Sequence, residues 1–536
     1  MIRRMGWLLL AVCLGLQAVE PRRLRPYPQK FRTFHELGDA RVPATLRDAP
    51  RPMPVGDLRA AAVASDGALW LGFPDGLVRD DPRADALDRR QYFAGRRYLP
   101  DDEIVSLAPD AAGGIWARTR TGVAHIELRP MTLAAKAAVF ERRIEERHNR
   151  YGMVASSHLR QPGEAASNEK VSSDNDGLWT AMYGAAECFR YAVTRSEEAL
   201  ARATRSLQAL LFLEQVTGRP GFPARSCVKK GDPRPQDGEW HWTADGQYQW
   251  KGDTSSDEMV GHYFLFSIAY DGLPDEALKK RIRETVTRIT DHVIQHGYNL
   301  TDLDGQPTLW GRWSLEYFST PRGKPDSPLN ALELLSFLKT AAHITGQARY
   351  ETEYQKAARE LNYAELSTRL LELREELNYS DEELAMLSFY PLFRYERDPA
   401  LRGYYRRALQ AWWENIQREK NPLWTFIYLS AWDNLAVAPA VDLAGAVRTL
   451  YRTPIDLIEW TVRNSHRKDI TLEGGLDRFQ RPQTTRLLPP DERPVMKWNG
   501  NPFRIDGGSG GRSEDDGAFF LLPYWLGRRH QYLLGE

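Results

Sequence analysis

The sequence predicts a mainly α-helical protein, in which paired helices form an (α/α)6 toroid behind a small N-terminal β module. Two observations support this fold class. From about residue 130 onward, apolar residues recur with helical spacing in about twelve segments, which Gly, Pro, Asp and Asn separate. Residues 57–129 instead alternate between apolar and other residues and turn at Asp-Gly or Thr-Gly, as strands and hairpins do.

The helical half, residues 130–536, fits a ring of six helix pairs. The predicted helices cover approximately 132–149, 176–193, 196–217, 256–270, 275–296, 328–344, 348–361, 381–395, 399–417, 422–436, 440–451 and 515–527. Long connections at 218–255, 297–327 and 453–514 follow alternate helices, so we expect them to gather on one face with the inner helix N-termini. A superhelical repeat stack is the alternative, but this half has no repeating sequence period.

The β module contains two similar segments, residues 63–77 and 107–123. Trp70 aligns with Trp116 and Gly76 with Gly122, both at a spacing of 46 residues. A period of about 40–50 residues with Trp and Gly at fixed places is typical of propeller blades. Two copies cannot close a propeller, so we expect a β module and no more.

Both copies resemble the bacterial two-component-regulator propeller repeat, whose core reads roughly D-x-x-G-x-[IL]-W-x-G-T-x-x-G-[IL]. The first copy keeps the Trp-Leu-Gly core, whereas the second has Arg118 in place of that glycine. The resemblance covers about 70 residues, and nothing downstream resembles a kinase.

The N-terminus has the pattern of a signal peptide over residues 1–19. Arg3 and Arg4 precede a short apolar run from Trp7 to Leu16, and a small-residue cleavage site follows. The run falls well short of the roughly 20 residues that span a membrane. The sequence therefore predicts a periplasmic or extracellular protein, with residues 20–56 as an extended lead-in rich in Pro and Arg.

Two cysteines, Cys188 and Cys227, remain after the predicted cleavage. Two cysteines do not make a disulfide scaffold, although they could form one bridge in an oxidising compartment. Cys188 lies within an apolar helical pattern, which equally fits a buried free thiol.

Composition argues against a nucleic-acid binder, because the 72 basic and 72 acidic residues balance. The 16 Trp, 23 Tyr and 19 Phe fit a sugar-binding protein, since aromatic faces pack against sugar C–H faces. A large helical core that buries aromatic rings explains the same count. No further segment is long and apolar enough to cross a membrane.

The toroid behind a β module resembles the catalytic domains of many glycoside hydrolases and polysaccharide lyases. That resemblance implies a carbohydrate-active enzyme whose partner is a poly- or oligosaccharide, although a fold alone does not determine the chemistry. No zinc, nucleotide or serine-nucleophile motif is present, so we predict no metal and no cofactor. The sequence does not indicate the oligomeric state.

The first candidate motif surrounds the start of the helix predicted at 256–270. Asp253, Asp257, Glu258 and His262 are the catalytic candidates, and Trp250 before them is a candidate sugar contact. Glu258 and His262 share one helix face at a spacing of four residues. The alternative is plain capping, because acids in a first turn complement the helix dipole.

The second motif, Asp174-Asn175-Asp176, repeats this design before the helix at 176–193. We take Asp176 as a catalytic candidate and Asp174 and Asn175 as substrate-binding candidates. N-capping again explains the acids equally well.

Two further motifs supply substrate-binding candidates. Trp310, Arg312 and Trp313 could form a sugar platform, with Arg312 available for a carboxylate or sulfate. The Asp-x-Asp-Gly start at 302–305 lacks the rest of a calcium loop. Near the C-terminus the candidates are Trp498, Asn499, Glu514 and Asp515, around a Gly-rich loop before the last helix.

We expect an inverting glycoside hydrolase, as the toroid resemblance implies, in which Asp176 pairs with Asp257 or Glu258. Hydrolysis needs one carboxylic acid to protonate the glycosidic oxygen and a second carboxylate. One alternative is a polysaccharide lyase that acts on a uronic-acid polymer with His262, Tyr263, Arg312 and Asn175. The other is a non-catalytic glycan-binding protein, whose acids would not converge in one cleft.

Overall fold

A computed structural model describes residues 20–36, 38–43, 46, 58–374, 377–432 and 435–535. The predicted signal peptide, residues 1–19, and much of the predicted lead-in after residue 43 lie outside the described residues. Within the described residues, the chain has a strand-rich N-terminal part and a helix-rich remainder. No helix in these described ranges is long and apolar enough to cross a membrane.

The N-terminal part contains two antiparallel sheets of four strands each, in the orders β3-β4-β5-β6 and β2-β9-β8-β7. The strands are β1 Arg22–Arg23, β2 Tyr27–His35, β3 Ala60–Val63, β4 Leu69–Phe73, β5 Gly76–Asp80, β6 Arg90–Phe93, β7 Ile104–Pro109, β8 Ile115–Thr119 and β9 Val123–Met131. The lead-in differs from the expectation, because its residues 27–35 form a full strand along β9. Apolar side chains on alternate residues of β9 explain why the strand has a partner there.

The two sequence repeats correspond to equivalent strands. Trp70 lies on β4 and Trp116 on β8, each the second strand of its meander. Where the two sheets pack together, Gly72 of β4 faces Ile104 of β7. The second copy has Arg118 at the position of this glycine, and Arg118 donates a hydrogen bond to the Leu46 carbonyl at 3.0 Å. The glycine is therefore needed only where sheet meets sheet.

We expect Gly72→Ala to lower the free energy of unfolding by about 1–3 kcal/mol, because overpacking forces neighbours to move. An ideal Cβ at Gly72 would lie 2.4 Å from Cγ2 of Ile104. Urea unfolding checks this, with Gly474→Ala as control, since a Cβ at Gly474 meets nothing within 4 Å. Equal losses in the two variants would contradict the explanation.

Twelve of the helices in the described ranges have eight or more residues. They are α1 Leu133–Arg143, α2 Asp176–Thr194, α3 Glu197–Gln215, α4 Ser256–Gly272, α5 Glu276–Gln295, α6 Gly323–Thr345, α7 Ala348–Gln355, α8 Tyr379–Tyr395, α9 Pro399–Ile416, α10 Pro422–Ser430, α11 Leu443–Arg452 and α12 Ala518–Arg529. The even-numbered helices form the inner ring: α2 contacts α4 and α12, α6 contacts α4 and α8, and α10 contacts α8 and α12. The ring is thus closed by α12 against α2.

The odd-numbered helices pack outside this ring. Helices α3, α7, α9 and α11 each contact the inner helix that precedes them, α5 contacts α6, and α1 contacts α12. Burial follows this arrangement, since every residue of α12 from Ala518 to Gly527 is buried, whereas α5 buries only one stripe. A helix enclosed by neighbours is apolar on all sides, and a surface helix on one side only.

Short strands and turns occupy the connections and the chain ends. They are β10 Asn149–Arg150, β11 Met153–Val154, β12 Ser156–Leu159, β13 Asn168–Val171, β14 Ser226–Lys229, β15 Trp240–Trp242, β16 Tyr248–Lys251, β17 Asn299–Thr301, β18 Pro307–Arg312, β19 Leu472–Leu476, β20 Pro482–Thr484, β21 Ser513–Glu514 and β22 Leu533–Leu534. Strand β1 pairs with β22, which joins the two ends of the described chain. Cys188 and Cys227 are both buried free thiols.

Candidate active site

Three neighbouring inner helices each carry a partly exposed carboxylate in the first turn. These are Asp257 in α4, Asp326 in α6 and Asp381 in α8. The partial positive charge of a helix N-terminus stabilises such carboxylates. Helices α4, α6 and α8 contact one another in the inner ring, so these three first turns lie near one mouth of the ring. Repulsion from Asp326 and Asp257 contributes to the raised pKa of Asp381.

Asp257 lies between side chains from two connections, the one before α2 and the one between α3 and α4. Nδ2 of Asn175 donates a hydrogen bond to its Oδ1 at 3.4 Å, and Arg225 donates to Oδ1 of Asn175 at 3.1 Å. Burial raises the pKa of Asp257, while the Ser255 hydroxyl and Arg225 oppose that rise. Asp257 is therefore a carboxylate that polar neighbours orient and that keeps part of its surface open.

Asp381 has a different environment. Its side chain is 26% exposed, and Arg374 donates a hydrogen bond to its Oδ2 at 2.6 Å. Burial, assisted by repulsion from Asp326 and Asp257, raises the pKa of Asp381 to about 6 despite Arg374. Such a carboxyl exchanges its proton close to neutral pH, as a catalytic acid must.

A second layer of carboxyls lies deeper in the same helices. Glu258, Glu333 and Glu383 are fully buried, and burial raises the pKa of each well above its usual range. Glu333 accepts a hydrogen bond from the indole of Trp313 at 2.8 Å. These carboxyls are enclosed inside the ring wall, where burial disfavours their charged form.

We expect Glu258→Gln to make the unfolding free energy less dependent on pH. A carboxyl with a raised pKa in the folded state costs stability as pH rises above its ordinary value of 4.5, because unfolding then releases its proton. The amide removes that cost, so the variant should gain stability relative to the parent between about pH 5 and about pH 8. Urea unfolding at both pH values measures it. Glu276→Gln on the exposed surface of α5 is the control. A difference in unfolding free energy between Glu258→Gln and the parent that stays the same at both pH values would contradict the prediction.

The structure places Asp176 away from the open mouth, with its carboxyl fully buried, and its catalytic role stays a prediction. Arg150 and Ser226 donate hydrogen bonds to Oδ2 at 2.8 and 2.5 Å, and Ser173 donates to Oδ1. Asp176 therefore holds α2 to the connections around it. The predicted pairing of Asp176 with Asp257 or Glu258 would join an open carboxyl to a buried one, or two buried ones, since Glu258 is also enclosed.

His262 and Tyr263 also lie away from the mouth. Nδ1 of His262 is 2.7 Å from the Glu258 carbonyl oxygen, and Nε2 is 3.3 Å from that of Leu210 in α3. The Tyr263 hydroxyl pairs with Thr290 of α5 at 2.7 Å. Both side chains are buried between inner and outer helices, so neither can serve as the base of a lyase.

Most of the predicted aromatic platform is buried. Trp250, Trp313 and Trp498 are 1%, 0% and 4% exposed and belong to the main core, so they present no open face to a sugar. Trp310 is 45% exposed, and the Arg322 guanidinium lies 4.7 Å from its ring centre. Only Trp310 among these four remains a candidate sugar contact.

Several polar candidates hold loops together. Asp253 accepts a hydrogen bond from the Leu309 amide at 2.8 Å, and Asp174 forms an ion pair with buried Lys251. Arg312 donates to the carbonyls of Pro307 and Thr308 in its own hairpin. These contacts explain the three residues as structural ties between the long connections.

The candidates near the C-terminus also divide into buried residues and a partly exposed one. Glu514 is buried and accepts a hydrogen bond from Arg147 at 2.7 Å. Asp515 is buried beside Asp516, which forms an ion pair with Lys497 at 2.8 Å. Asn499 is partly exposed and lines a cavity at the start of α8.

Sequence reasoning missed Asp326 and Asp381, although the signal for Asp381 was available. Asp381 begins a predicted inner helix, as Asp257 does, and the same rule would have selected it. Asp326 precedes the predicted helix start at residue 328, so it was hidden by a boundary error. Across the described ranges, no group of three or more metal-ligating side chains could hold a metal ion.

The chain was compared with solved structures, with protein families and with curated proteins. The chain is 12% identical to a metagenome-derived glycoside hydrolase family 9 endoglucanase, with a TM-score of 0.33 over 96% of this chain and 98% of that one. No protein-family model matches the chain, and no curated protein matches it.

Proposed function

We propose that this protein is a glycoside hydrolase in which Asp381 is the general acid and Asp257 the base. The observation that carries the proposal is the convergence of two open carboxyls in different electrostatic environments. Helices α4 and α8 contact each other, so their first turns face the same mouth of the ring. Acid–base cleavage of a glycosidic bond requires one carboxyl that donates a proton and a second carboxylate.

The roles follow from what each carboxyl contacts. Asp381, with a pKa raised to about 6, can hold a proton and donate it to the glycosidic oxygen as the bond to the anomeric carbon breaks. Asp257, which Asn175 and Arg225 orient, takes a proton from the water that attacks that carbon. This direct displacement inverts the anomeric centre.

The proposal includes inversion of the anomeric centre and export of the protein to the periplasm or the cell exterior. The N-terminal signal-peptide pattern supports a periplasmic or extracellular site of action, where polysaccharides are found. A lyase loses support, because the proposed bases His262 and Tyr263 are buried away from the mouth. A binding protein without activity loses support from the convergence of Asp257, Asp326 and Asp381.

The test is incubation of the purified protein with neutral and acidic polysaccharides, with reducing ends and absorbance near 235 nm both recorded. We expect new reducing ends without absorbance, lost in Asp257→Asn and in Asp381→Asn. Glu276→Gln is the matched control, because it removes a first-turn acid from an outer helix. A rise in absorbance, or activity that survives both substitutions, would refute the proposal. Proton NMR of the first product gives the anomeric configuration.

A further inference from the structure

A large cleft separates the β module from the ring. Its volume is about 920 Å³, and its walls come from β4–β6 on one side and from α11 and residues 466–492 on the other. Its apolar lining includes Leu71, Phe73 and Val78 of the β module. Ligand sites typically enclose about 300–1,000 Å³, so the cleft has the size of a binding site.

The charge of this cleft is unbalanced. Among the described residues that line it, Arg and Lys outnumber Asp and Glu two to one. Arg90 on the β-module wall and Arg486 on the ring wall are exposed, with side chains 69% and 60% accessible. Each also forms one ion pair, with Asp80 at 3.2 Å and with Asp469 at 3.1 Å, whose side chains are 16% and 45% exposed. Solvent around the exposed guanidinium groups weakens such pairs. A negatively charged ligand can therefore compete for both guanidinium groups.

The walls of the cleft are fixed in place. Arg97 of the β module donates hydrogen bonds to three carbonyls of the ring connection, those of Pro490, Asp491 and Arg493. The Tyr92 amide donates to Glu492 at 3.2 Å. A preformed cleft loses little entropy when a ligand binds.

A second cavity adjoins this cleft and lies at the start of α8, the helix that carries the proposed catalytic acid. It measures about 660 Å³ and is lined by residues at the start of α8, by the β19–β20 hairpin and by Asn499. Arg374, the partner of Asp381, lines it, and Arg418 lines both cavities. Two adjoining cavities of this size suit an extended chain better than a single small molecule.

We propose that this pair of cavities binds an anionic polysaccharide, with its charged groups held in the cleft between β module and ring. The choice of a polysaccharide rests on the proposed hydrolase function, and the anionic character rests on the charge of the cleft. The β module thereby acquires a role, because it supplies one wall of the cleft beside the cavity at the start of α8.

The experiment measures binding by the full-length mature Asp381→Asn protein, so that the polymer stays intact. Probes are polygalacturonate, a sulfated galactan, neutral xyloglucan and a single-stranded DNA of matched charge. Arg90→Glu with Arg486→Glu reverses one charge on each wall. Arg120→Glu with Lys280→Glu is the matched control, since both side chains are more than 70% exposed and lie outside the two cavities.

We expect the cleft variant to bind one of the acidic polysaccharides about tenfold more weakly, and the control variant to bind within about twofold of the parent. Added salt should weaken binding, because it screens exposed charges. Equal binding by the cleft and control variants would overturn the proposal. So would DNA that binds as tightly as the glycans and depends on the same two arginines.

The outcomes also separate this inference from the proposed function. Cleft-dependent binding of an acidic glycan that the unsubstituted protein never cleaves would support the cleft and refute the hydrolase. Cleavage of neutral glycans only, unchanged by the cleft substitutions, would support the hydrolase and refute the cleft.

Discussion

Asp381→Asn is expected to lower kcat/KM for polysaccharide hydrolysis by about 10²–10⁴-fold, the usual contribution of a general acid. The asparagine cannot donate a proton to the leaving oxygen, whereas its Oδ1 can still accept the hydrogen bond from Arg374. Reducing-end release from the cleaved polysaccharide measures the loss. Unfolding in urea should remain close to that of the parent, which separates a chemical effect from a folding effect.

We also expect Asp381 to determine the high-pH side of the pH–activity profile. Activity of the parent should fall as pH rises through about 6, because Asp381 then loses the proton it must donate. Asp326→Asn is the informative control, since burial raises the pKa of Asp381 and repulsion from Asp326, with that from Asp257, adds to the rise. Removing that charge should move the falling limb to lower pH while activity on the acid side persists. Two results would contradict the assignment of Asp381 as the general acid. One is a falling limb at the same pH in Asp326→Asn as in the parent, and the other is a falling limb that is still present in Asp381→Asn.

Most of the helical framework could be predicted because each inner helix is bounded by polar loops. The predicted helix at 256–270 corresponds to Ser256–Gly272, and that at 399–417 to Pro399–Ile416. Closure of the ring was expected from helix number and loop length, and the contact of α12 with α2 supplies it. The domain boundaries drawn from the sequence stay a prediction.

The candidate site was predicted less well, because identical local patterns have different surroundings. Asp176 and Asp257 both lie in the first turn of an inner helix after a polar loop. Arg150 and Ser226, which bury Asp176, come from distant connections that no local pattern reveals. Burial likewise separates Trp310 from Trp313, which are three residues apart. Residue type and spacing selected acids at the N-termini of inner helices, and tertiary packing determines which of those acids are open to solvent.

Arg452→Met is expected to lower the free energy of unfolding by about 3–5 kcal/mol, the cost of leaving buried charges without their partner. Arg452 is 1% exposed and donates hydrogen bonds to Asp491 at 3.0 Å and to Glu492 at 2.9 Å. Burial raises the pKa of Asp491, but Arg452 and Lys30 outweigh it and hold that pKa below its usual range. Methionine keeps the apolar stem and removes the charge. Urea unfolding measures the loss, and Arg89→Met, whose side chain is 55% exposed, should cost less than about 1 kcal/mol.

The pH dependence identifies the cause of that loss. A carboxyl with a depressed pKa contributes stability above its unfolded value of 3.8, and this contribution disappears as pH falls through the folded pKa. The difference in unfolding free energy between the parent and Arg452→Met should therefore become smaller as pH falls toward about 3. Asp491→Asn in the same chain should recover part of the loss, since the two residues form one network. If the losses of unfolding free energy in Arg452→Met and Asp491→Asn sum to the loss in the double variant, Arg452 acts through packing alone. Coupled losses would mean that a buried ionic network fixes the β module to the ring, and with it the cleft wall on which the proposed substrate binds.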